Sequence, residues 1–343
     1  CQVNNSKSVL NTSNMDTTID PADDFYLYVN GGWLINNPIP DDYSRYGAFE
    51  QLNEENEQKL FDLLTAIRND QNAAPGSNRQ KIRDFYNSAM DTARLQNEGI
   101  SAIAPLLEKI DAIGSKDELT RTIAELHHSG IRALFGMGAG QDRKNTEMII
   151  ASVGQGGLGM SDRDYYLKND ARSTEIRDNY KLFIHKLFSL AGSSESEANA
   201  AVASVMQIET ALAEASMDRL TLRDPYATYN KMSVEELRKL APAIDWNSYL
   251  DTRGVSIEDL NVSQPQFFSN ASAMVQNVSI NDWKSYLKWN VLNNAAAFLS
   301  PEFEEANFVF YGTVMTGSQV QRDRWKRTLA VLNGSMGEAV GQE

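Results

Sequence analysis

Cysteine is nearly absent from this sequence. The only one among 343 residues is Cys1, so no disulfide can form within the chain. Positive charge is also scarce: 32 Lys and Arg stand against 46 Asp and Glu, a net charge of −14. That balance argues against nucleic acid and anionic membrane surfaces, both of which need a positive footprint. No apolar run approaches the length of a membrane span. Histidine occurs three times, at His127, His128 and His185. Zinc hydrolysis usually needs two His one helical turn apart, and His127 and His128, being adjacent, point to different sides of a helix. His185 lies on an apolar stripe with Ile184 and Phe188 and reads as a packed core residue. No Ser or Cys has the signature of a nucleophile, so nothing in the residues alone supports catalysis.

What is present is mostly helical pattern. Leu60, Leu63, Leu64 and Ile67 recur at i, i+3, i+4, i+7. Ile82, Phe85, Tyr86, Ala89, Met90 and Ala93 follow the same period, as do Ile176, Tyr180, Phe183, Ile184, Leu187 and Phe188. Ser115 to Glu118 and Ser233 to Glu236 fit capping boxes, and Ser300-Pro301 fits an N-cap followed by Pro at the first helical position. Trp325, Leu329, Leu332, Met336 and Ala339 predict a last helix that is still running at Gly341 to Glu343, so the chain is expected to continue in a longer protein. Two segments read as strands, Ile131 to Phe135 and Met148 to Val153, with the Gly-rich stretch Gly136 to Glu147 between them as a long hairpin connection. No internal repeat is found, which disfavours a solenoid.

Two patterns invite a functional reading. Gly154-Gln155-Gly156-Gly157-Leu158-Gly159 matches G-x-G-x-x-G after a predicted strand. The chain then runs into Met160 to Tyr166 without an amphipathic helix or a parallel βαβ setting, so the glycines are read as a tight turn rather than a dinucleotide site. A chain beginning at Cys1, followed by a Ser-, Asn- and Thr-rich stretch poor in large apolar groups, is read as a lipoprotein cysteine with a flexible tether over residues 1–19. Cys1 is then the lipid attachment, and the protein would be extracytoplasmic, held to a bacterial membrane.

The stretch Asp20-Pro21-Ala22-Asp23-Asp24-Phe25-Tyr26-Leu27-Tyr28-Val29-Asn30-Gly31-Gly32-Trp33, continuing through Asn37-Pro38-Ile39-Pro40 and Ser44-Arg45-Tyr46-Gly47-Ala48-Phe49, resembles the opening of the neprilysin and endothelin-converting enzyme family of zinc metalloendopeptidases. Further blocks keep the family order: Gly157 to Leu167, Phe310-Tyr311-Gly312-Thr313, and Arg324-Trp325-Lys326-Arg327 with Asn333 and Gly337 to Gly341. The match is to the N-terminal half of a bacterial PepO-like member. Mammalian relatives have cysteines where this chain has Ala22 and Val29.

The resemblance implies a mainly α fold, the helical lid lobe of a two-lobed gluzincin metallopeptidase, with a small β-hairpin. Residues 20–343 would form that lobe, residues 20–47 packing against a catalytic lobe that lies outside this chain. Zinc would serve the full-length enzyme through an H-E-x-x-H helix and a downstream Glu, neither present here. Partners would be peptide substrates of modest size and the catalytic lobe, with no nucleic acid. The family's Ser-Arg-Tyr-Gly motif places Arg45 against a substrate's C-terminal carboxylate, for which a planar guanidinium is suited; a structural ion pair with a nearby acid is the other reading. Glu50 stands where the family often has an acid, favouring basic P2′ side chains. Asn53 replaces a second Arg, so anchoring of a free C-terminus is expected to be weak. The reading from another class is a helical surface lipoprotein that binds a glycan or peptide without catalysis. Trp33, Trp246, Trp283 and Trp289 could then be stacking platforms, although Trp is more often core.

Overall fold

The computed structural model describes residues 11–343, so Cys1 and the first half of the expected tether lie outside the described residues. In chain order the helices and strands are α1 (Phe25–Asn36), α2 (Ala48–Arg68), α3 (Asn78–Met90), α4 (Thr92–Glu98), α5 (Ala104–Asp111), α6 (Lys116–His128), β1 (Phe135–Asp142) and β2 (Asn145–Gln155). They continue with α7 (Asp164–Leu167), α8 (Ala171–Leu190), α9 (Glu195–Ala215), β3 (Lys231–Ser233), α10 (Val234–Leu240), α11 (Trp246–Arg253) and β4 (Asp259–Val262). The last are α12 (Pro265–Asn277), α13 (Ile280–Ala295), α14 (Pro301–Asn307) and α15 (Arg324–Gln342). The mainly α class expected from the sequence is what the chain adopts. None of the described helices is long and apolar enough to cross a membrane.

The chain divides into two compact units, one of Cys1–Asp91 with Thr316–Glu343 and one of Thr92–Met315. In the first, α2, α3 and α15 close on a core of Leu64, Ile67, Ile82, Tyr86, Leu329, Leu332 and Val340. All but Val340 are periodic residues of the sequence pattern. Trp325 lies 4.4 Å from the Phe61 ring, and α15 kinks at Met336. Residues 12–19, expected within the tether, form a short 3-10 turn at Thr12–Asn14, and the Asp16 amide donates to Tyr28 O.

In the second unit, α8, α9 and α13 pack side by side around Tyr180, Leu187, Ile208, Leu212, Leu287 and Trp289. The capping box at Ser233 forms with both its bonds. At Ser115 the hydroxyl accepts from the Glu118 amide, but the Glu118 carboxylate reaches the Gly114 amide instead, one residue outside the expected box. Ser300 caps α14 without a side-chain cap bond, its hydroxyl turning to Glu302.

The strand expectations need correction. Among the described residues there is one four-stranded sheet, in the order β1-β2-β4-β3. Ile131 to Leu134 lie outside it, and Leu134 takes a left-handed conformation, φ 65°. The glycine-rich stretch expected as a connection is itself strand β1, paired antiparallel with β2 from Phe135↔Gln155 to Asp142↔Asn145. Its own glycines disfavour a strand. The apolar run Met148 to Ala151 and Val153 of β2 supplies the pairing template, because β preference depends on the neighbour more than on the residue. A parallel pair also exists, β2 with β4 through Ser152↔Asn261 and Val153↔Val262.

Candidate functional site

The segment before α2 and the first turns of α2 form a connected polar array in the first unit. Glu50, Glu54 and Glu57 recur at i, i+4 and i+7, so they share one face of the helix. Each holds a different partner. Arg45 Nε donates to Glu50 Oε1 at 3.0 Å. Tyr46 Oη donates to Glu54 at 2.6 Å, and Arg322 Nη2 donates to Glu57 at 2.7 Å while lying over the Tyr43 ring. The bond to Glu54, with burial behind it, pushes the Tyr46 hydroxyl up to about 12. Tyr46 in turn stacks on Trp33, ring centroids 6.1 Å apart, which ties α1 to the array.

Within that array Arg45 is held and yet exposed. Its side chain is 87% accessible whereas that of Glu50 is 16%. Among the described residues its only hydrogen bond leaves through Nε, so both terminal nitrogens face solvent. The ion-pair reading of Arg45 is therefore realised, and it leaves the guanidinium fork open. Asn53 is exposed on the α2 face shared with Phe49 and Leu52, which are 82% and 60% accessible. Of the three candidates in the sequence, Arg45 and Glu50 lie in the array and Asn53 does not; Tyr46, Glu54, Glu57 and Arg322 are the members that the sequence had not marked. The acidic spacing along α2 was the available signal.

A second array lies buried in the other unit. Glu209 on α9 is 1% accessible. Its Oε2 accepts from Tyr166 Oη at 2.6 Å and Tyr180 Oη at 2.7 Å, and its Oε1 accepts from Trp289 Nε1 at 3.0 Å. Burial outweighs these donors and pushes the carboxyl up to about 7. The glycine-rich loop folds onto this cluster. Tyr286 Oη donates to Gly157 O and accepts from the Leu134 amide, holding Leu134 in its left-handed conformation. Tyr311 Oη donates to Gly159 O, and Tyr166 Oη accepts from the Met160 amide. Gly157 has φ +78°, and a Cβ at Gly159 would lie 1.9 Å from Tyr180 Oη. No helix begins here; Gly157 serves a turn, as read from the sequence, and Gly159 a close approach that the sequence did not show. All members face each other in a closed interior, which makes this a structural cluster.

The residues present do not fit a zinc ion. Among the described residues no group of three or more His, Cys, Asp or Glu could hold a metal. His127 Nδ1 accepts from Tyr249 Oη at 2.7 Å while Nε2 donates to Ala133 O at 2.7 Å, so both ring nitrogens are committed in the core. Burial pulls His127 down to about 4. His185, expected as core, is instead half-buried, 3.2 Å from Glu195 Oε1 on the rim of α8. The buried histidine is the one that follows the α6 apolar face, a period the adjacent pair had obscured. Trp246, Trp283 and Trp289 are all within 1% of fully buried, and Trp33 is stacked on Tyr46, so they offer no platform for a sugar.

Fold and site together define a mainly helical chain with a small four-stranded sheet and an exposed guanidinium held through Nε, with no group of three or more metal ligands among the described residues. Residues 21–343 match the N-terminal domain of peptidase family M13, and the chain belongs to that family. It is 28% identical over 349 residues to mouse endothelin-converting enzyme 1, covering 98% of this chain and 44% of that protein. The bovine enzyme is 29% identical over 346 residues, 96% and 45% covered. The crystal structure of the Mycobacterium tuberculosis zinc metalloprotease Zmp1 with an inhibitor superposes with a TM-score of 0.92 at 28% identity, covering 97% of this chain and 51% of that one. PepO from Lactobacillus shares the fold, with a TM-score of 0.81 at 20% identity. The chain spans about half the length of these relatives. The resemblance to the neprilysin and endothelin-converting enzyme family is confirmed.

Proposed function

We propose that residues 20–343 serve as the substrate-gating lobe of a zinc metalloendopeptidase that hydrolyses peptides of modest size, with zinc and the catalytic groups supplied by a separate lobe. The observation that carries this reading is Arg45. It sits in the Ser-Arg-Tyr-Gly motif, oriented by Glu50 through Nε alone, with its terminal nitrogens free to meet a carboxylate bidentately. Support also comes from the apolar surface that the first unit leaves in water: Phe25, Tyr26, Ile35, Ile39, Phe49 and Leu52 are all more than half exposed. In this proposal the catalytic lobe covers these side chains. Glu50 would favour a basic substrate side chain only where Arg45 releases it. Asn53, uncharged and exposed, adds no second anchor for a free C-terminus, which makes the enzyme endopeptidase-like.

Cys1 is proposed as the lipid attachment that holds the protein outside the cytoplasm. Cys1→Ser should then move the native protein from the membrane fraction to the soluble one, and unchanged fractionation would end that part of the reading. The main test uses the full-length protein. Arg45→Ala should raise KM about tenfold for free-acid peptides and leave amidated peptides unaffected, the loss of one charge-assisted bidentate contact. If neither KM moves, Arg45 does not bind substrate. If the full-length protein holds no zinc, the peptidase reading fails altogether.

A further inference from the structure

Strand β1 is one of the two edges of its sheet among the described residues, and its unpaired side can be read from the neighbouring bonds. Val153 O accepts from the Ser263 amide on the β4 side of β2, and the Gln155 amide donates to Gln264, also away from β1. The backbone groups of Val153 and Gln155 therefore point away from their partners Met137 and Phe135. In an antiparallel ladder such pairs are the non-hydrogen-bonded ones, so Met137, Ala139 and Gln141 aim their amides and carbonyls outward. The outward Phe135 amide is used locally by Ala133 O. Among the described residues no partner meets the outward groups of Met137 and Ala139, and residues 138–141 are exposed.

Natural edge strands are usually blunted by Pro, Lys, a covering loop or a bulge. Between Phe135 and Gln141 there is no charge and no proline, and the register is regular as far as Gln141. Gly136, Gly138 and Gly140 line one face of the strand, and a Cβ built at any of them meets nothing within 4 Å. Large side chains on an incoming strand would find room over these glycines, the arrangement by which aromatic residues shield edge glycine.

We propose that the outer edge of β1, Met137 to Gln141, is a docking strand that captures an extended peptide segment by β-augmentation. It lies outside the Arg45 array, in the other unit. Recognition runs through backbone amides and carbonyls over about 17 Å of strand. It is therefore tolerant of sequence, with a preference for bulky aromatic residues at alternate positions. A net charge of −14 on the chain favours a neutral or basic peptide. The same charge opposes a second copy of this chain as occupant, and one short edge pair falls far below the roughly 1,200 Å² that a stable protein dimer buries. The choice of a peptide rests on the peptidase reading; the docking edge itself does not.

The test measures binding to this chain and needs no catalysis. The probe is a fluorescent, proline-free, basic peptide with tyrosine at alternate positions, followed by anisotropy. N-methylation at alternate residues in one register should weaken binding by about tenfold or more, and in the other register should leave it unchanged, because only one row of amides faces β1. Ala139→Pro removes one outward donor without touching a β1–β2 bond, and should give a similar loss with the thermal midpoint retained. Gly138→Val, which keeps its bond to β2, should selectively weaken tyrosine-bearing peptides relative to alanine-bearing ones. Equal effects of the two methylated registers, or full binding by Ala139→Pro, would overturn the proposal. So would a concentration-dependent dimer abolished by Ala139→Pro, which would assign the edge to a second copy. Binding that survives in a full-length protein lacking zinc would refute the peptidase reading alone.

Discussion

Two buried groups in the second unit titrate in the same pH interval with opposite consequences for stability. Glu209 keeps its proton to about pH 7 in the folded chain against an ordinary value of 4.5, because burial disfavours its charge. Its contribution is fully present below pH 4.5 and is lost as pH rises through about 7. The difference corresponds to about 3 kcal/mol. His127 is pulled from 6.5 down to about 4, first by burial and then by Arg253 and Arg132 against its proton. Its contribution is present above pH 6.5 and is lost as pH falls through about 4, again about 3 kcal/mol. Between 4.5 and 6.5 the two slopes nearly cancel. Stability of the wild-type chain should therefore be flat across that interval. Glu209→Gln should expose the His127 limb, so that stability climbs with pH. His127→Gln should expose the Glu209 limb, so that it declines. Each substitution also lowers the baseline by about 1–3 kcal/mol by leaving a buried donor or acceptor unpaired, a loss that does not depend on pH. Urea unfolding followed by tryptophan fluorescence reads both, since Trp289 bonds Glu209 and Trp246 packs on Tyr249, the partner of His127. Parallel pH profiles for Glu209→Gln and wild type would refute the reasoning.

Gly159→Ala places a methyl 1.9 Å from Tyr180 Oη and must displace the Glu209 cluster, so calorimetry should show a loss of about 3 kcal/mol or failure to fold. Gly138→Ala meets only open space, and should stay within about 0.5 kcal/mol of wild type in the same experiment. Arg322→Ala leaves Glu57, 17% accessible, without its cation and removes the contact with Tyr43. The first unit should weaken by about 1–3 kcal/mol, seen as an earlier denaturant transition. Arg45→Ala, by contrast, breaks a solvent-exposed pair and should shift the midpoint by less than about 1 kcal/mol.

The helices were legible because their periodicity is a direct record of burial: Leu64 and Ile67, Ile82 and Tyr86, and Leu329 and Leu332 each recur on the face that meets the next helix. The sheet was less so. β1 is a strand because β2 lies beside it, and no property of Phe135 to Asp142 read alone distinguishes it from a glycine-rich loop. β3 and β4 are three and four residues long, too short for alternation to register. His185 misled for a related reason: a helical period marks a stripe, and the residue at its rim cannot be told from one at its centre without the neighbouring element, here Glu195 at the start of α9.

The candidate site divides in the same way. The blocks that carried the family resemblance, Gly157 to Leu167 and Phe310 to Thr313, converge on Glu209, Tyr180 and Trp289, where backbone carbonyls, four tyrosine hydroxyls and one carboxylate satisfy each other. Those motifs are long because many interior contacts constrain them at once. Glu209 itself was invisible, one of 46 acids without a local signature. Arg45 shows the opposite economy: a short motif and an exposed side chain, held by one bond. In the substrate-binding role proposed for it, Arg45 keeps its terminal nitrogens unspent, so packing leaves little mark on the surrounding sequence. Recognition of such residues depends on the geometry that orients them, here Glu50 in the first turn of α2, and on the kinetic separation of free-acid from amidated peptides.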